Sequence, residues 1–117
     1  MSENTKAFLP LNPATLHILL ALAGEDRHGY GILKEIARQS LGQYKIGPGT
    51  LYDNLGKLLD AGLVTESAGE AGTDSRRRYY RLTGLGRKVL SADLERLETA
   101  IREAKSHRLH KLHPRKA

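Results

Sequence analysis

The sequence has no cysteine, no tryptophan and a single phenylalanine among its 117 residues. Without cysteine there is no disulfide, no thiolate zinc site and no cysteine nucleophile, and nothing argues for an oxidising compartment. A reducing cytoplasm is the expected location. Long hydrophobic runs are missing too. The longest, Leu16 to Ala23, is interrupted by His17 and closed by Gly24, well short of the roughly 20 residues that span a bilayer. The opening MSENTKAFLPLNP lacks the basic start and apolar centre of a secretory signal. No membrane partner is expected.

Catalytic signals are absent as well. His17 and His28 stand outside any Ser/His/Asp arrangement, and are read as a satisfied, partly buried residue and a turn residue. The glycine pairs in GYG and GPG follow no predicted strand and lack the lysine-serine/threonine ending of a phosphate-binding loop. They are assigned to turns and close packing. The expectation is a protein that is not an enzyme and needs no cofactor.

What the chain does have is positive charge: 19 Lys+Arg against 13 Asp+Glu, a formal net charge of +6 and a pI near 9.8. That balance suits a polyanion. Part of it lies in the end KSHRLHKLHPRKA, where His107, His110 and His113 recur among Lys and Arg with no carboxylate or cysteine beside them. This reads as a solvated basic tail with no metal site.

Periodicity divides the remainder. Asn12 suits an N-cap and Pro13 the first helical position, ahead of Leu16, Leu19, Leu20 and Ala23 at helical spacing; Gly24 should end this first helix. After a polar turn, YGILKEIARQSL places Leu33, Ile36, Ala37 and Leu41 on one face of a second helix ending at Gly42. QYKIGPG is read as a turn broken by Pro48, with a third helix from about Thr50 to Gly62. Its leucines Leu51, Leu55, Leu58 and Leu59 share one side, and Thr50, Tyr52, Asp53 and Lys57 are offered by the other. LVTES and RRRYYRL then read as the strands of a hairpin, with Tyr80 in phase with Leu82 toward the core. Thr83 caps a last helix whose Leu90, Leu94, Leu97, Ile101 and Ala104 form a heptad-like seam with no partner in the chain.

The fold class expected is mainly α with a small β-hairpin. Three helices and a hairpin in this order make a winged helix-turn-helix, here followed by a C-terminal dimerisation helix. The organisation expected is an arm over 1–12, a DNA-binding domain over 13–83, the dimerisation helix over 84–106 and a basic tail over 107–117. The third helix can turn its leucines inward and present Thr50, Tyr52, Asp53 and Lys57 to a major groove about 12 Å wide. Tyr52 lies at the edge of the apolar face, where DNA contact and packing are both open to it. Arg76, Arg77 and Arg78 can bind phosphate from the wing or protect an edge strand from aggregation.

HGYGILKEI, GPGTLYDNLGKLLDAGLV and RRRYYRLTGLGRKVL together resemble the PadR family of bacterial transcriptional regulators over about residues 13–100. The resemblance implies a homodimer in the nucleoid that represses transcription from an operator in double-stranded DNA. It further implies base contacts from the third helix, phosphate contacts from the wing, and often relief by a small-molecule effector. The lack of Trp makes a planar aromatic effector the less favoured kind. A nonspecific nucleic-acid-binding structural protein with the same winged helix is the alternative, and the ratio of operator to random-DNA affinity separates the two.

Overall fold

Asn12 opens the first long helix as its side chain dictates, accepting from the Thr15 amide at 2.9 Å with Pro13 in the first turn. The computed structural model describes residues 3–68 and 77–107, so Arg76 and the tail from 108 onward, with His110 and His113, lie outside the described residues. The helices are α1 (Glu3–Lys6), α2 (Pro13–Leu22), α3 (Gly29–Gln39), α4 (Pro48–Ala61) and α5 (Gly84–Ser106). The strands are β1 (Arg27–His28), β2 (Val64–Ser67) and β3 (Tyr79–Leu82).

The centre of the core is α2, whose Ile18, Leu19 and Leu22 are buried against Ile32 and Ile36 of α3 and Leu51, Leu55 and Leu58 of α4. Each such side chain contributes roughly 1.5–3 kcal/mol on burial. Helix α4 is stopped by Gly62, whose φ of 79° is the left-handed conformation glycine adopts freely. Its start differs from expectation: Pro48 begins the helix, because proline has no amide to leave unpaired there. Helix α3 ends earlier than expected. Leu41 takes a φ of 54° beyond its last turn, which carries the side chain out to solvent and away from the apolar face assigned to it.

The sheet has three strands in the order β1-β3-β2, all antiparallel, so the expected hairpin gains a strand. Arg27 pairs with Tyr80 and His28 with Tyr79 along one side of β3, while Val64 faces Leu82 along the other. Arg81 grips Asp26 at 3.0 Å across this sheet, and Ser67 donates to the same carboxylate at 2.8 Å. Tyr80 and Leu82 both point into the core, in the phase expected.

Thr83 caps α5 by accepting from the Gly86 amide at 2.9 Å, while its own hydroxyl donates to the Gly62 carbonyl at 2.7 Å. A Cβ at Gly86 would overlap the Leu63 backbone, so glycine here lets α5 start flush against the end of α4. Val89 and Leu90 complete the core, and α5 then runs outward, contributing to a longest dimension of 57 Å. Short α1 packs on this chain's own α5, and Phe8 and Leu9 lie against its own core. His17 stacks on Tyr44 with centroids 4.4 Å apart, yet its buried Nδ1 has no hydrogen-bond partner among the described residues, contrary to the expectation of a satisfied ring. No described helix is long and apolar enough to cross a membrane.

Candidate nucleic-acid interface

The outer face of α4 follows from its inner one. Because Leu51, Leu55 and Leu58 are held in the core, Thr50, Tyr52, Asp53 and Lys57 are turned to solvent together. Asp53 and Lys57 are paired along the helix at 3.6 Å. Asn54, beside them, donates to the Thr50 carbonyl at 2.8 Å and so stiffens the first turns of the exposed face.

Tyr52 leaves this row and leans toward the wing, 52 % exposed. Its hydroxyl sits over Gly29 at the start of α3, in the space that a Cβ there would occupy. The contact explains why glycine stands at that position, and it gives Tyr52 both a packing surface and an accessible ring.

Arg77 and Arg78 emerge just before β3, both exposed. Arg78 pairs with Glu66 on β2. Arg77 Nη1 reaches across to His28, 2.7 Å from Nε2. Between these arginines and the two helices lies a cleft of about 400 Å³, lined by His28, Tyr30, Tyr52, Arg77, Arg78 and Tyr80. Sequence reasoning assigned no role at this face to His28 or Tyr30. His28 is 49 positions from Arg77, and no local pattern records a contact at that separation. Tyr30 is exposed at the first turn of α3, with Lys34 Nζ 5.4 Å from its ring centre.

Electrostatics reinforce the geometry. Burial first, and then the neighbouring Arg77 charge, hold the His28 pKa below the ordinary histidine value. The Glu66 carboxylate stabilises the charged form of Arg78. By contrast Arg81 is committed to Asp26, which accepts from it through both oxygens. The face therefore combines a protruding polar helix with a cleft of hydroxyls and cations, a combination able to meet base edges and phosphates at once.

Helix α5 shows a divided stripe. Leu90 is 4 % exposed and part of the intramolecular core, which removes it from the seam expected to meet a partner. Asp93 is buried next to it and bonded to Arg96 at 2.7 Å. Beyond that point Leu94 is 37 % and Ile101 55 % exposed, with Leu97 and Ala104 half-buried on the same helix. His107 ends the helix, bonded to Glu103 at 2.9 Å.

Comparison with known proteins places these features in company. Residues 18–92 match the model of the family described as the transcriptional regulator PadR-like family. The transcriptional regulator Rv3488 of Mycobacterium tuberculosis is 38 % identical over 89 residues, covering 75 % of this chain and 78 % of that protein. A transcriptional regulator from Clostridium thermocellum superposes with a TM-score of 0.65 at 26 % identity, over 91 % of this chain and 96 % of the other. Bacillus subtilis PadR, crystallised in complex with operator DNA, superposes with a TM-score of 0.61 at 29 % identity, over 73 % of this chain and 48 % of that one.

Proposed function

The chain belongs to the PadR-like family of transcriptional regulators, and on that footing we propose that it is a homodimeric repressor that binds an operator in double-stranded DNA. The observation that carries the reading is the exposed row Thr50, Asp53 and Lys57 on α4 standing beside the arginine-lined cleft of the wing. In this reading α4 enters the major groove. Thr50 contacts a base or phosphate, Tyr52 a phosphate or a thymine methyl, and Lys57 a phosphate further along the groove. Arg77 and Arg78 hold phosphates, with Arg76 continuing that series in the sequence.

Residues 13–83 act as the DNA-binding domain and 84–106 as the dimerisation helix, meeting a second copy through Leu94, Leu97, Ile101 and Ala104. Two reading heads then fall on two half-sites, and an occupied promoter is closed to transcription. A small-molecule effector that loosens this grip fits the same scheme. The chain is similar in structure to Bacillus subtilis PadR, which was crystallised in complex with operator DNA, and that supports base reading over a purely structural role.

Selection of genomic fragments by the purified protein tests the proposal. A regulator recovers a discrete site, with two half-sites, bound about 10³ to 10⁷ times more tightly than random duplex. Equal affinity for all fragments would leave a nonspecific nucleic-acid-binding protein in its place.

A further inference from the structure

The cleft beside the wing contains a contact that no acceptor among the described residues satisfies. His28 caps α3, with Nδ1 3.1 Å from the Gly31 amide and accepting its proton. A neutral imidazole has one bare nitrogen and one N–H. The positive end of the helix disfavours a proton at Nδ1, so the ring proton belongs on Nε2. There it meets Arg77 Nη1 at 2.7 Å, and a guanidinium can only donate. Two N–H groups face each other, with no acceptor between them among the described residues.

No change of protonation relieves this. The other neutral tautomer sets Nδ1–H against the Gly31 amide, and a protonated ring opposes both neighbours. The groups around the ring offer little help. Tyr79 of β3 meets it edge-on, with centroids 5.3 Å apart, and the cleft is lined otherwise by Tyr30, Tyr52, Tyr80 and Arg78. Arg78 is engaged by Glu66. An anion with several acceptor oxygens would meet both donors at once.

We infer that His28 Nε2–H and Arg77 form a two-donor clamp for one backbone phosphate of the bound DNA, His28 acting as a neutral hydrogen-bond donor. The inference rests on the DNA-binding reading above and adds to it a phosphate ligand from the start of α3. The mouth is open to solvent, and the tyrosine hydroxyls of the same cleft can donate to the remaining phosphate oxygens. The lowered pKa of His28 agrees with a ring that is uncharged at neutral pH. A neutral donor displaces no counterion, so its signature differs from that of an arginine.

The test is His28→Ser, since serine is a strong N-cap but too short to reach Arg77. Binding of the full chain to its selected operator and to random duplex is measured across a salt series, alongside thermal melting. Affinity for both duplexes should fall about tenfold, as for a lost hydrogen bond to a charged group, with the log–log salt slope unchanged. Arg77→Ala should reduce the slope by up to about 0.9, and the serine effect should shrink in that background. In parallel, the ring Nε2–H of the wild-type protein, followed by ¹⁵N NMR, should shift when operator is added; this measurement stands even if the variant fails to fold. A folded His28→Ser that binds as tightly as wild type, a slope that falls with it, or a ring resonance unmoved by DNA would each overturn the clamp. Wild-type protein that binds neither duplex would instead remove the DNA-binding reading itself, and the clamp with it.

Discussion

Asp53 and Lys57 stand one turn apart on the outer face of α4, carboxylate to ammonium 3.6 Å, so the acid on that exposed face is held by the base that follows it. Both side chains are exposed, and a pair of this kind is weak enough for a phosphate to take over. Asp53→Ala should therefore free Lys57 and strengthen binding to operator and random DNA alike. Fluorescence anisotropy on the two duplexes checks it. Relaxed preference at one base pair per half-site, with a loss on the order of 1–3 kcal/mol on the original site, would make Asp53 a base reader instead.

The two described wing arginines should not be equal. Arg78 has Glu66 as a partner, whereas among the described residues Arg77 faces only the His28 ring. Arg77→Ala should weaken binding to every sequence and lower the salt slope by up to about 0.9; Arg78→Ala should do less. Slopes unchanged in both variants would return these arginines to the role of edge protection.

Along α5 substitutions at different depths should have different readouts. Leu97→Glu with Ile101→Glu leaves the core untouched and should yield monomers with weak DNA binding, read by analytical ultracentrifugation. Leu90→Ala removes a side chain that is 4 % exposed and should lower stability by about 2–5 kcal/mol without first dissociating the protein. Chemical denaturation separates the two outcomes.

Acid should loosen the link between β1 and the hairpin. The hydrogen bond from Arg81, opposed by burial and aided by Ser67, holds the Asp26 carboxyl below its ordinary pKa. A group lowered on folding adds stability above its unfolded value, about 3.9 for Asp, and loses it as pH falls through the lowered folded value. Asp26→Asn should flatten that acid limb in urea melts taken between about pH 5 and about pH 2. Because Arg81 is exposed, the effect will be modest.

What could be read from the chain in advance depended on whether the signal was local. Asn12, Gly62 and Thr83 mark helix ends through their own backbones and side chains, and all three do so in the structure. Tyr80 follows from alternation along one strand. Strand β1 could not be seen, because two residues carry no period and Arg27 and His28 are a strand only by pairing with β3. Leu90 has the spacing of the outer stripe, yet the helix is still within the core at that depth. The exposed row of α4 was legible from its leucines, while the His28–Arg77 approach depends on the sheet bringing distant segments together.

Only Thr83 separates the last strand from α5, and that helix is pinned at its root by Gly86 against Leu63 and by Leu90 in the core. There is no slack at this joint. A second copy gripping the outer half of α5 would hold a caliper rather than a tether, with jaws whose opening is set by the angle between two rigid rods. Such an instrument accepts one separation of its targets and rejects its neighbours. Any molecule that twists the rods at their far end resets the gauge without touching the jaws.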